Sequence, residues 1–252
     1  MVSEKNRKVD TYVIATARFT GSGSLLLFAL FLFFGAWPFI DMQLSRGNAM
    51  LWNAVLSLLF FIQHSGMVRQ ELSARLAAFL PAHYHRAFYT FVSSAVLTAV
   101  VILWQPAREP LLELQGALRW VARGVFLLGL AGFAWGVGAL QSFDAFGGTD
   151  IKSHCEGRRP EPQRFAISGP YRWTRHPLYF FSLLLIWSCP DLTTDRLFFN
   201  VLWTTWIYVG TVLEERDLVA EFGDAYRRYQ RSVPRLIPWK GPGGVQNPSL
   251  GA

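Results

Sequence analysis

The apolar positions of this chain gather in long unbroken runs, with no strict alternation and no narrow helical stripe. Residues 19–40, between Arg18 and Asp41, are 22 positions without a formal charge. Residues 47–68, 87–107 and 124–143 also lack Asp, Glu, Lys and Arg. Each run reaches the ~20 residues that a helix needs to cross a ~30 Å hydrocarbon core. Lipid admits only helices or closed barrels, and barrel strands would alternate. The pattern therefore predicts four long transmembrane helices. Two shorter runs, residues 177–190 and 197–213, are joined by the polar residues 191–196. So short a link predicts a tight C-terminal transmembrane helical hairpin. Beyond it, Leu218, Phe222, Tyr226 and Tyr229 recur at helical spacing, which predicts a cytoplasmic amphipathic helix. The first run is too long, and no cleavage site follows it, for a secretory signal, so it is expected to stay as an anchor.

Composition strengthens this reading. The chain has 252 residues, 52% hydrophobic and 16% charged, against about 25% charged in an ordinary soluble domain. The expected class is an all-α, polytopic membrane protein. It is organised as a four-helix region (1–143), a cytoplasmic loop (144–176) and a C-terminal ligand-binding region (177–252) in one integrated domain. With the N-terminus inside and all six segments crossing, 19 of the 24 Lys and Arg residues fall inside and 5 outside. The positive-inside rule then puts both termini and the long basic loop on the cytoplasmic face of the cell (inner) membrane. Trp37, Trp52, Trp104 and Trp120 fall at the outer boundary, where interfacial anchors belong. The formal charge of +7 is thus a topology signal, and there is no folded domain to bind nucleic acid. Cys155 and Cys189 should lie on opposite sides, which argues against a disulfide. His154 and Cys155 lack partners at metal-ligand spacing and read as part of a solvated loop. His83 and His85, beside Arg86, read the same way. Gly129, Gly132, Gly136 and Gly138 crowd the fourth run and predict close helix packing.

The chemistry concentrates near the C-terminus. Gly169-Pro170 marks a turn, and Pro177 suits the first turn of a helix. The stretch holding Tyr171, Arg172, Arg175 and His176 therefore leads into a helix N-terminus, an anion-binding feature that the arginines strengthen. Glu214 and Glu215 stand where the last hydrophobic run ends, and carboxylates at that depth usually have partners. The predicted topology puts both stretches on the inner side. Basic groups, a helix N-terminus, paired carboxylates and tyrosines suit a zwitterionic ligand with a cationic centre. S-adenosylmethionine (SAM) is such a ligand: arginine would hold its carboxylate, and aromatic faces tolerate its sulfonium. His64 lies near the inner end of the second run, and an ionisable group inside a membrane helix is a functional candidate.

Taken together, Arg175-His176-Pro177-x-Tyr179, Glu214-Glu215 and Gly223-x-x-Tyr226-x-x-Tyr229-x-x-x-Val233-Pro234 resemble the C-terminal signature of the isoprenylcysteine carboxyl methyltransferase superfamily. Gln63-His64-Ser65-x-Met67-x-Arg69, Phe143-Asp144-x-Phe146-Gly147 and Leu213-Glu214-Glu215-Arg216-Asp217-Leu218 are more similar to the bacterial methanethiol S-methyltransferase and NnrU-like branch. The loop at residues 150–164, with Arg158-Arg159-Pro160, departs from that pattern. The resemblance implies a SAM site lined by Arg175, His176, Pro177 and Tyr179, closed by Glu214 or Glu215, with Tyr226 and Tyr229 packed over it and Tyr171 and Arg172 beside it. The implied reaction is methylation of a small thiol such as methanethiol, with His64 or Glu215 as the base. A prenylcysteine or lipid-like acceptor, a sterol-reductase-type enzyme and a non-enzymatic NnrU-like accessory protein are the alternatives.

Overall fold

The computed structural model describes residues 4–37, 39–68, 78–107, 109–140, 144, 146–158 and 167–243. Arg69, Arg75, Phe143, Arg159, Pro160 and Arg164 of the sequence reading lie outside the described residues. The fold is mostly helical. Helices α1 (Glu4–Phe34), α2 (Arg46–Val68), α3 (His85–Leu103) and α4 (Gly116–Ala139) dominate it. Four segments, Arg7–Phe34, Arg46–Met67, Ala82–Leu103 and Gly116–Ala139, are long and apolar enough to cross a membrane. Large side chains on these helices stay outside the protein core: Leu26 is 62% exposed, Ile62 70% and Leu128 69%. Surfaces of that kind belong against lipid.

The chain divides into two compact units, Met1–Arg108 with Asp144–Pro162, and Glu109–Phe143 with Gln163–Ala252. In the first, α1 and α2 both pack on α3. Ala17 and Ala87 are small enough to let α1 and α3 close together around Ile151. Near the other end of α3, Asn53 exchanges two hydrogen bonds with the backbone of Gln105, at 2.8 and 2.9 Å. The Gln105 side chain in turn donates to Ile40 O at 2.8 Å and accepts from Met42 N at 3.0 Å. These amides satisfy backbone groups that the connecting segments leave open. Trp104 does not act as an interfacial anchor: it is fully buried, edge-on to Phe31 at 5.8 Å.

Helix α5 (Gly148–Cys155) replaces the first part of the expected solvated loop. Asp144 accepts the backbone N–H groups of Phe146, at 3.0 Å, and Thr149. Gly147 is left-handed (φ 75°), and a Cβ there would lie 2.6 Å from Ala87 N. The Asp-x-Phe-Gly motif is thus a packing device that seats α5 against the start of α3. His154 stacks on His83 at 3.8 Å, and Cys155 Sγ donates to the buried Asp10 at 2.9 Å. Tyr84 OH donates to the same carboxylate. His154 stays exposed while His83 and Cys155 are half-buried, and the Asp10 contacts explain how α1 can begin well before the uncharged run.

In the second unit, α6 (Pro177–Trp187) lies along α4 through the glycine face. A Cβ on Gly129 would lie 2.9 Å from Leu185, one on Gly136 2.6 Å from Leu178, and one on Gly132 would overlap the Phe181 ring. The link after α6 is not a plain polar turn. Strand β1 (Pro110–Glu113) pairs antiparallel with β2 (Asp191–Thr193), a short ribbon that corrects the all-helical expectation. Arg119 clamps Asp191 with bonds of 2.7 and 2.6 Å. Helix α7 (Thr194–Phe222) then runs past the last hydrophobic residues without a break. The amphipathic helix expected from Glu214 to Tyr229 is two pieces: α7 ends at Phe222, Gly223 turns the chain with φ 54°, and α8 covers Asp224–Ser232.

Candidate functional site

The second unit holds a site built around one buried carboxylate. The chain reaches it through a 3-10 turn at Gly169–Arg172, where Gly169 (φ 52°) would bring a Cβ to 3.0 Å from Ala139. Ser168 Oγ donates to Ala139 O at 2.8 Å, tying the turn to the end of α4. The stretch 174–176 then pairs with residues 234–236: Arg175 N donates to Pro234 O at 2.9 Å and His176 N to Arg235 O at 3.1 Å. Thr174 Oγ1 donates to Arg235 O at 2.8 Å. Pro177 follows as the first residue of α6, where its missing N–H costs nothing.

These contacts aim Arg175 and His176 at Glu215 on α7. Arg175 Nε donates to Glu215 Oε1 at 2.7 Å, and its Nη1 donates to the carbonyls of Gln230 and Val233 at 2.7 and 2.6 Å. His176 Nε2 lies 3.3 Å from the same Oε1. Gln230 Nε2 donates to Oε2 at 3.0 Å, and Arg235 Nη2 reaches it at 3.1 Å. The Glu215 side chain is 4% exposed and that of Arg175 8%. Burial alone would raise the Glu215 pKa. The hydrogen bonds from His176 and Arg175 and the charges of Arg175 and Arg235 outweigh it, and hold the carboxyl below its ordinary value of 4.5 at about 2.

The tyrosines roof this network. Tyr226 and Tyr229 meet edge to face at 5.7 Å, both buried with Ile167 and Val233, and Tyr171, Leu218, Val219 and Phe222 pack around them. Tyr229 OH donates to Tyr171 O at 2.6 Å. Burial raises the pKa of Tyr171, Tyr226 and Tyr229, so all three phenols stay protonated. Tyr179 tilts over His176 at 5.5 Å, near Gly210 of α7.

Of the residues singled out in the sequence, Tyr171, Arg175, His176, Pro177, Tyr179, Glu215, Tyr226 and Tyr229 form one assembly. Glu214 joins it at the rim, 47% exposed and 3.6 Å from His176 Nδ1. Arg172 is exposed on the turn beside Tyr171. Arg235 and Gln230 were not anticipated, and the Val233-Pro234 motif that precedes Arg235 was the nearest signal; Thr174 lies in the stretch that leads into the helix but was given no role. Arg175 spends Nε and Nη1 inside the protein, so its first task is to hold Glu215 and α8 in place. Arg235 differs: its Nε is buried and finds no acceptor among the described residues. The donor set fits a ligand with a carboxylate and hydroxyls. Arg235 and Arg172 provide cations, Glu214 provides an accepting carboxylate, and the tyrosines provide faces.

His64 belongs to the first unit. Its ring stacks against Phe60 at 5.1 Å, and Tyr89 OH of α3 lies 2.9 Å from Nδ1. Gln63 Nε2 donates to Ser93 Oγ at 3.0 Å and approaches Met67 Sδ at 3.1 Å. Among the described residues no group of three His, Cys, Asp or Glu side chains is arranged to hold a metal ion.

The profile of the family described as NnrU protein matches residues 50–195. A methanethiol S-methyltransferase of Pseudomonas sp. (strain GM41(2012)) is 36% identical over 75% of this chain and 74% of its own. Methanethiol S-methyltransferase 2 of Bradyrhizobium diazoefficiens is 37% identical over 76% of this chain and 74% of its own. Nurim of Sus scrofa is more distant, 27% identical over 66% of this chain and 67% of its own. No solved structure matches. The profile covers more than half of the chain, which places it in the NnrU family.

Proposed function

We propose that this protein is a membrane-embedded, SAM-dependent methyltransferase that methylates a small thiol such as methanethiol, giving dimethyl sulfide. The observation that carries the reading is the buried Glu215 network, which leaves donor and acceptor groups at its rim, in a chain whose relatives are named methanethiol S-methyltransferases. Arg235 and Arg172 would hold the carboxylate of the methyl donor, Glu214 would accept its ribose hydroxyls, and the faces of Tyr171 and Tyr179 would lie against its apolar parts. Arg175, His176 and Glu215 preorganise that surface; Tyr226 and Tyr229 keep water from its underside. SAM brings its own leaving group, so the chain's residues need only align donor and acceptor and exclude water. Glu215, ion-paired and buried, is poorly placed to act as a base, which favours His64 for that role. Detergent-purified protein given methyl-labelled SAM and methanethiol tests the reading: labelled dimethyl sulfide in the headspace supports it.

A further inference from the structure

Past α8 the chain leaves the Glu215 network and turns outward. Residues 234–236 are still held by the site: Arg175 N donates to Pro234 O, and His176 N and Thr174 Oγ1 both donate to Arg235 O. The residues that follow are not held in this way. Ile237 is 65% exposed and Trp239 70%. A hydrogen bond of 2.9 Å from Trp239 N to Ile237 O puts the two on one tight turn. Lys240 Nζ sits 4.4 Å from the centroid of the Trp239 ring. Gly243 N then donates to Arg172 O at 2.8 Å, so the turn is pinned at both ends and presents its apolar pair outward.

Charge and position say what covers this turn. Between residues 224 and 240 the chain carries Arg227, Arg228, Arg231, Arg235 and Lys240 against one acid, Asp224. Helix α8 buries Tyr226 and Tyr229 and exposes Arg227, Arg228 and Arg231. The Arg235 guanidinium lies 5.9 Å from the ring centroid of Tyr208, which is 55% exposed on the hydrophobic run of α7. The turn therefore begins beside the end of an apolar surface, close to where α7 becomes charged at Glu214. Tryptophan next to lysine suits a membrane–water interface: the indole lies among the headgroups and the ammonium reaches the phosphates.

We infer that the turn at residues 237–240 docks on an anionic phospholipid surface, with Ile237 and Trp239 in the headgroup layer and Lys240 and the α8 arginines against the phosphates. Buried apolar area and attraction to anionic lipid add in such a contact. The consequence for the site follows from connectivity. Residues 234–236 directly precede the turn, their carbonyls fix Arg175 and His176, and Arg235 Nη2 reaches Glu215 at 3.1 Å. A docked turn holds this strand against the site from the membrane side. Docking needs no methyl donor, so it is independent of the methyltransferase reading.

Trypsin cleavage after Lys240, read as release of the peptide 241–252, reports whether the turn is covered. The full chain is compared in nanodiscs of phosphatidylcholine and in nanodiscs in which phosphatidylglycerol makes up about a third of the lipid. Cleavage should be about 10-fold slower in the anionic discs, since each basic residue near such a surface contributes measurably. A chain carrying both Ile237→Ser and Trp239→Ser should be cut in anionic discs about as fast as wild type is cut in phosphatidylcholine. A chain carrying Arg228→Gln and Arg231→Gln should lose most of the difference between the two lipids. Equal cleavage of wild type in both lipids would overturn the docking, and that comparison depends on no variant. Full protection of the serine variant in anionic discs would overturn the part given to Ile237 and Trp239. Protection in detergent that grows with protein concentration would put a second copy of the chain on the turn in place of lipid, and would overturn the assignment too.

Discussion

Glu215 shows how strongly one carboxylate can depend on its neighbours. It is buried, and its two oxygens receive Arg175, His176, Gln230 and Arg235. Its pKa is held below 4.5 at about 2, so its contribution is complete above the unfolded value and is lost as pH falls through the folded one. The size is about 3 kcal/mol, taking about 1.4 kcal/mol per pH unit. The thermal midpoint of the detergent-solubilised protein should therefore drop between pH 4.5 and 2. Glu215→Gln should remove this acid-sensitive part and destabilise the protein at neutral pH by about 3–5 kcal/mol, because Arg175 is left buried without its counter-ion. An acid profile identical in wild type and Glu215→Gln would show that other carboxylates govern acid unfolding. The same geometry separates Arg175 from Arg235: Arg175 gives Nε and Nη1 to Glu215 and to two backbone carbonyls, whereas Arg235 reaches Glu215 through Nη2 and its buried Nε has no acceptor among the described residues.

At the scale of elements, the glycines of α4 decide how α6 is seated. A Cβ on Gly132 would overlap the Phe181 ring, whereas one on Gly124 meets nothing within 4 Å. Gly132→Ala should cost about 1–3 kcal/mol through overpacking. Gly124→Ala should be neutral or slightly stabilising through helix propensity. Equal thermal midpoints for the two variants would mean that α4 and α6 do not meet on the glycine face. This packing was legible from the small-xxx-small spacing, as were the long helices from their uncharged runs. The Arg-His-Pro stretch and the Glu-Glu pair were legible as one site, because both carry chemistry that costs free energy unless paired. Three features were hidden. The β1–β2 ribbon depends on pairing residues about 80 positions apart, and nothing local announces it. The break at Gly223 needed the knowledge that its φ is positive, since Leu218, Phe222, Tyr226 and Tyr229 keep helical spacing across it. Trp104 looked like a boundary anchor, because hydropathy locates a helix end but not what covers it. Helix α5 was obscured by its polar composition, and Ile151 is the buried residue that holds it down.

At the scale of the molecule, the chain has four apolar helices long enough to span a bilayer, so its proposed ligands would reach it from two phases. We propose that both termini and the loop after α4 face the cytoplasm, since 19 of 24 basic residues then fall on that side. A reporter fused after Ala252, or inserted at Lys152, should score cytoplasmic; a periplasmic readout at either place would reverse the orientation. A cytoplasmic site suits a polar methyl donor, and membrane helices suit a small apolar thiol that partitions into lipid. The most direct test of this division of labour is transfer itself. Purified protein reconstituted in lipid, supplied with SAM labelled on its methyl carbon and with methanethiol, should release labelled dimethyl sulfide at a rate that saturates with both substrates. Retention of the label in SAM, in protein that is folded and binds SAM, would contradict the assignment of the chain as a thiol methyltransferase.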